Sequence, residues 1–125
     1  MPPVALNGPI ITIRRFPDRA ITMEELIRWK TVTQEAAQFL ERLVCAGYNI
    51  FISGGTGSGK TTFMNALSNY IPKTERIITI EDNAELKLQG VDNLVRLEAK
   101  MANTEGASSI SIRDLIRTAL RMRPD

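Results

Sequence analysis

Eight consecutive residues, from Gly54 to Thr61, have the types and spacing that bind phosphate. They follow the pattern G-x-x-x-x-G-K-[S/T], in which glycines let the backbone curl until several N–H groups point at one anion. The lysine of this pattern reaches the outer phosphates of a nucleotide, and the next hydroxyl holds Mg²⁺. The sequence therefore predicts a site for ATP and Mg²⁺, whose loop residues are Gly54, Gly55, Thr56, Gly57, Ser58, Gly59, Lys60, Thr61 and Thr62.

The segments on either side of this loop have the strand and helix character that a phosphate-binding loop of this type requires. Residues 48–53 form an apolar, strand-like run, and residues 62–67 are typical of a helix. A helix that starts at the loop adds the positive end of its dipole to the phosphate site. We therefore expect a strand, the loop and a helix that ends near Ile71, before Pro72.

Acidic residues follow a second apolar run. Residues 76–80 are strand-like and lead into Glu81 and Asp82, with Glu85 three residues further on. Hydrolysis needs an acid near Mg²⁺ and a group that positions water. Since adjacent strand residues point in opposite directions, at most one of Glu81 and Asp82 is expected to face the metal, and Glu81 is the candidate ligand. The alternative is a solvated strand end with Asp82 in a turn.

Arginines recur every four residues on the last predicted helix, at Arg113, Arg117 and Arg121. Like charges at this spacing repel one another, and an anionic partner would offset that repulsion. They therefore predict either a contact with phosphates or a neighbouring subunit, or a solvated face near the negative end of the helix. The pair Arg14 and Arg15 leaves the same two alternatives.

Composition excludes several classes of site. The 125 residues include one cysteine and no histidine, which excludes an internal disulfide and histidine chemistry in this chain. A net charge of +2 gives no strong nucleic-acid signal. No apolar run approaches the roughly 18 residues of a membrane span, and no signal peptide is recognisable. Three side chains are predicted to be buried: Trp29, Phe39 and Cys45.

Helix starts can be located from their capping residues. Thr22 with Glu25 forms a capping box that opens a short helix, and Ser111 with Asp114 opens the last one. Thr33 is the predicted cap of a helix between them. We expect that middle helix to end before a glycine in the left-handed conformation, Gly47.

Strands alternate with these helices, which is typical of an α/β fold with a parallel sheet covered by helices. Three or four strands are few for such a sheet, so we expect it to be incomplete in this chain. The predicted strands are residues 10–13, 48–53, 76–81 and 94–98.

Together these segments resemble the secretion ATPases of type II and type IV systems, and within them the tight-adherence pilus (CpaF-like) branch. The resemblance covers nearly the whole chain. It is carried by residues 7–16 (NGPIITIRRF), 54–62 (GGTGSGKTT), 78–82 (ITIED) with Glu85, 95–98 (VRLE) and 111–125 (SIRDLIRTALRMRPD).

This resemblance implies a P-loop NTPase of RecA-like fold that works as a homohexamer with ATP and Mg²⁺. Such enzymes lie on the cytoplasmic face of the inner membrane, associate with it through platform proteins, and drive pilus assembly or protein export. Residues 1–20 then correspond to the end of an N-terminal domain and its linker. Residues 21–125 correspond to the first part of the ATPase domain.

The resemblance also assigns roles to particular residues. It places Glu81, Asp82 and Glu85 in the family's acidic box, whereas the residues alone suggest a Walker B strand. The family's Walker B and histidine box are expected after Asp125, so we expect turnover by this chain alone to be near background. Arg14, Arg15, Arg96 and Arg113 become candidates for contacts with nucleotide or with a neighbouring subunit.

Other functions remain open at this point. RecA-like cores also translocate nucleic acids, although the small net charge argues against a nucleic-acid partner. A P-loop kinase would need an acceptor pocket and a lid, and neither is recognisable. A nucleotide-binding scaffold without turnover is the remaining alternative.

Overall fold

The computed structural model describes residues 8–13, 19–100 and 109–125. The described elements are four helices and two strands. No helix in these ranges is long and apolar enough to cross a membrane. In chain order the elements are α1 (Met23–Arg28), α2 (Gln34–Cys45), α3 (Lys60–Ser68), β1 (Ile77–Glu81), β2 (Leu94–Glu98) and α4 (Ile112–Ala119).

The helix starts confirm the predicted caps. Thr22 and Glu25 form a complete capping box on α1, and the Thr33 hydroxyl accepts the Ala36 N–H at the start of α2. Gly47 has a φ of +72°, the left-handed conformation predicted after α2. These features depend on residues three or four positions apart, so a local sequence pattern is enough to define them.

The buried core lies among the first three helices. Its members come from α1, α2 and α3, which contact one another pairwise. Tyr70 and parts of the chain before α3, such as Ile52, pack against it. This cluster fixes α3, and with it the end of the phosphate loop, against the other two helices. The buried residues are Met23, Leu26, Ala37, Ala66 and Leu67.

A parallel pair of strands forms the second part of the molecule. Ile77 of β1 pairs with Leu94 of β2, and the register brings Glu81 opposite Glu98 at the carboxyl ends. Helix α4 packs against both strands. Since parallel strands end at one edge of a sheet, the acidic residues of β1 and β2 are brought together there.

Two predicted strands are wrong. Residues 10–13 and 48–53 belong to no helix or strand in the structure, and the sheet of the described residues has two strands. An extended segment becomes a strand only when a neighbour satisfies its N–H and C=O groups. The sequence shows that residues 48–53 are apolar, but it does not show whether a neighbouring strand is there to pair with them. Phe51 in this segment is 96% exposed.

Burial also differs from expectation at three side chains. Trp29 is 54% exposed and Phe39 61% exposed, and Cys45 is exposed as well. The Cys45 Sγ donates a hydrogen bond of 3.4 Å to the Tyr70 carbonyl. Apolar type at helical spacing indicates which face of a helix can be buried, but not whether another element covers it.

Candidate nucleotide-binding site

The phosphate loop has the backbone geometry that its glycines predict. Gly57 and Gly59 have φ values of +75° and +89°, which residues with a Cβ rarely adopt. Gly59 is the N-cap of α3, and its carbonyl accepts the Phe63 N–H at 2.8 Å. The loop therefore runs directly into the amino end of α3, where free N–H groups and the helix dipole favour an anion.

The Lys60 ammonium lies over the loop. Its Nζ donates a hydrogen bond of 2.6 Å to the Gly55 carbonyl, and the Ser58 N–H donates to the same oxygen at 3.3 Å. Both bonds hold the loop in a tight curve. The lysine thus has its charge beside the backbone groups that the sequence assigns to phosphate binding.

A cavity of about 520 Å³ opens on this loop. Lys60, Thr61 and Glu85 line it together, and Glu85 comes from the connection between β1 and β2. An ammonium, a hydroxyl and a carboxylate are the groups that these residues can offer to a phosphate-bound metal ion. The lining residues are Thr56, Gly57, Gly59, Lys60, Thr61, Thr62 and Glu85.

The other two acidic candidates lie beside that cavity. Glu81 and Asp82 line a neighbouring depression of about 360 Å³, together with Thr61 and Glu85. The Glu81 Oε2 accepts the N–H groups of Glu85 and Leu86, both at 2.8 Å. One carboxylate oxygen of Glu81 is thereby engaged with the backbone that carries Glu85.

Two of the arginine candidates, Arg96 and Arg113, are not brought to the cavity. The Arg96 Nη2 donates a hydrogen bond of 3.0 Å to the Leu86 carbonyl, so this guanidinium supports the β1–β2 connection. Arg113 is exposed near the start of α4. Neither lines the cavity at the phosphate loop. Arg14 and Arg15 lie outside the described residues.

The residues present fit a Mg²⁺ ion that binds together with a nucleotide. Among the described residues, no group of three or more Cys, Asp or Glu side chains could hold a metal alone. Mg²⁺ bound with phosphates needs only one or two protein ligands, since phosphate oxygens and water fill the remaining positions. Thr61 and Glu85 offer the oxygen donors that this ion prefers.

The hydrogen bonds of two polar side chains at this site were not predicted from the sequence. The Asn65 Oδ1 accepts the Lys87 N–H at 2.8 Å, and the Glu98 Oε1 accepts the Ala84 N–H at 3.1 Å. The signal for Asn65 was an amide among the apolar residues Met64, Ala66 and Leu67 of the predicted helix. Such a buried amide usually has a hydrogen-bond partner.

Known proteins with similar sequences carry this region within longer chains. A putative conjugal transfer protein of Mycobacterium tuberculosis is 37% identical over 125 residues, which are 100% of this chain and 35% of that protein. The type IV secretion system protein PtlH of Bordetella pertussis is 49% identical over 86 residues, which are 69% of this chain and 25% of PtlH.

A solved structure is similar as well. It is the crystal structure of the VirB11 ATPase from the Brucella suis type IV secretion system in complex with sulphate. The TM-score is 0.61 at 36% identity, and the match covers 90% of this chain and 32% of that one. The chain therefore spans about a third or less of each of these three proteins.

The whole chain, residues 1–125, also matches the family model described as type II/IV secretion system protein. This match agrees with the geometry of the loop and with the relatives named above. The chain belongs to the type II/IV secretion system protein family.

Proposed function

We propose that this chain forms the nucleotide-binding part of a secretion ATPase and binds ATP with Mg²⁺ at residues Gly54–Thr62. The observation that carries the proposal is the cavity that unites Lys60, Thr61 and Glu85 at the amino end of α3. In this assignment the loop N–H groups and Lys60 bind the phosphates. When bound, Mg²⁺ would neutralise charge on the phosphates during hydrolysis.

We propose different roles for the three acidic residues. We assign Glu85 to the part of the cavity where the phosphates and Mg²⁺ would bind, because it lines the same cavity as Lys60 and Thr61. Glu81 does not line this cavity, and its bonds to the Glu85 and Leu86 N–H groups hold that segment. Glu81 as a metal ligand, and Asp82 as a catalytic acid, stay predictions.

The properties of the whole protein are part of the same proposal. Relatives in type IV secretion support a motor that works with other components of such a system. We propose a RecA-like ATPase domain from about residue 21, assembly as a homohexamer, and a position on the cytoplasmic face of the inner membrane, where it contacts platform proteins. The tight-adherence branch remains a prediction from the sequence.

A second candidate function is nucleic-acid translocation. One relative is named a putative conjugal transfer protein, and conjugation moves DNA between cells. The net charge of +2 argues against direct DNA binding by this chain. Nucleotide turnover that DNA stimulates, with a steep dependence on salt, would favour this candidate over a motor acting on protein. In a longer protein that includes the expected Walker B, nucleotide binding without any turnover would favour a nucleotide-gated scaffold.

The direct test is binding of a fluorescent ATP analogue with Mg²⁺ to this chain and to Lys60→Ala. A hydrogen bond to a charged group contributes about 1.5–3 kcal/mol, so the variant should bind about 10- to 100-fold more weakly. Lys73→Ala removes the same charge from an exposed position outside the cavity and should bind as the unaltered chain does. Equal affinity of all three proteins, or no binding at all, would contradict the proposed site.

A further inference from the structure

The connection between β1 and β2, residues 82–93, carries Glu85 and is held in place by side chains. Three of these come from the strands themselves. Glu81 accepts two N–H groups of the connection, Arg96 donates to the Leu86 carbonyl, and Glu98 accepts the Ala84 N–H. These contacts fix the connection relative to the sheet, but none of them fixes it relative to the phosphate loop.

Asn65 makes that second attachment. It lies on α3 and is only 8% exposed, and its Oδ1 accepts the Lys87 N–H at 2.8 Å. Lys87 is two residues from Glu85. The bond therefore joins the helix that ends the phosphate loop to the segment that carries the acidic side chain.

The position of Asn65 on α3 relates it to the metal-binding hydroxyl. Thr61 and Asn65 are four residues apart, so they lie on one face of the helix, roughly 6 Å apart along its axis. Thr61 lines the cavity with Glu85, while Asn65 holds the backbone just beyond Glu85. One face of α3 thus presents the hydroxyl and fixes the distance from it to the carboxylate.

We propose that Asn65 is a positioning residue that holds the Glu85-bearing connection against the phosphate-loop helix, so that Glu85 and Thr61 act together on nucleotide-bound Mg²⁺. The proposal rests on the proposed function of the site. Asn65 itself touches neither the nucleotide nor the metal ion. Its effect should therefore appear in the Mg²⁺-dependent part of binding and should pass through Glu85.

The test compares Asn65→Leu, which keeps the size but removes the acceptor, with Asn65→Asp, which keeps an acceptor oxygen. In the 125-residue chain, hydrogen exchange at the Lys87 amide should become at least about tenfold faster in Asn65→Leu and should return towards normal in Asn65→Asp. Asn69→Leu makes the same change at an exposed position of the chain just after α3 and should leave this amide protected.

Binding of the ATP analogue gives the functional readout. Asn65→Leu should need several-fold more Mg²⁺ for half-maximal binding, while binding without Mg²⁺ should stay unchanged because Lys60 is intact. In a Glu85→Gln background the same substitution should add no further change, since its effect passes through Glu85. If Asn65→Leu fails to fold, Asn65→Ala, which removes the acceptor without adding bulk, provides the same comparison.

The outcomes separate the two proposals. If the unaltered chain does not bind the analogue, the proposed function is overturned, and the role of Asn65 falls with it. If the unaltered chain binds and Asn65→Leu shows the same Mg²⁺ dependence, the role of Asn65 alone is overturned. Additive effects of Asn65→Leu and Glu85→Gln would also overturn it.

Discussion

At the scale of single residues, the phosphate loop depends on glycines for two different reasons. Gly59 needs its left-handed φ of +89°, and a Cβ built there would meet nothing within 4 Å. Gly54 has an ordinary φ, but a Cβ there would lie 2.5 Å from the Ser58 Oγ. Backbone conformation therefore constrains the first position, and close packing constrains the second.

Gly59→Ala should destabilise the fold because alanine must adopt the left-handed conformation without any gain in packing. The cost of that conformation is about 1–2 kcal/mol. The control is Gly55→Ala, whose Cβ also meets nothing within 4 Å but whose φ is not left-handed. Urea unfolding of the two variants measures the difference, and equal stabilities would refute the argument from backbone strain.

Which side chains meet at the site could be predicted only in part. The motif identified Lys60 and Thr61, and the structure places Glu85 in their cavity. Asn65 was not predicted, because its partner is a backbone N–H 22 positions away that no sequence pattern specifies. Arg96 was expected to contact a phosphate or a neighbouring subunit, and those contacts stay predictions; the bond from its guanidinium to the Leu86 carbonyl was not predicted.

At the scale of elements, the helix caps were predictable and two of the four strands were not. A cap such as Thr22 or Ser111 is completed by residues three positions along the chain, so the sequence contains all of it. A strand such as residues 48–53 needs partners from elsewhere, and local propensity says nothing of them. The pair formed by β1 and β2 was predicted to within one residue at each end.

The capping box of α1 should make stability sensitive to acid. The pKa of the Glu25 carboxyl is lowered to about 2, because the Arg19 guanidinium donates hydrogen bonds to it and the Thr22 N–H donates another. A lowered pKa stabilises the fold above the ordinary value of 4.5, and this contribution is lost as the pH falls from there towards 2.

Glu25→Gln should therefore lower stability at neutral pH and flatten its decline between pH 4.5 and 2. Urea unfolding at a series of pH values checks this. Glu35→Gln removes an exposed carboxylate from the first turn of α2 and should retain the steep decline. An unchanged pH profile in Glu25→Gln would show that the capping box does not contribute to the acid sensitivity.

At the scale of the whole molecule, the core is small and much apolar surface is exposed. The buried cluster belongs to α1–α3, and the two-stranded sheet of the described residues leaves an outer edge on each strand. Open edges and exposed apolar side chains favour association between chains. The large apolar residues most exposed are Ile10, Ile11, Ile13, Tyr48, Phe51 and Leu120.

We expect the chain to self-associate as its concentration rises, and Phe51→Ser to weaken that association. Phe51 is 96% exposed and lies outside the sheet, so its ring can pack against an apolar surface of a second chain. Phe39→Ser, on the exposed face of α2, should have a smaller effect. Sedimentation equilibrium across a wide concentration range measures both, and a monomer at every concentration would contradict this expectation.

The bond between the Lys60 ammonium and the Gly55 carbonyl sets a threshold for ligands of the loop. An anion that binds Lys60 replaces the Gly55 carbonyl as the partner of the ammonium. The free energy of binding that it gains there is only the difference between the two interactions. A weakly charged anion with one contact offers little more than the carbonyl does. A polyphosphate offers several charged oxygens at once, to the ammonium and to the loop N–H groups together. We therefore expect this internal competitor to make the loop selective for multiply charged ligands before any base or sugar is recognised.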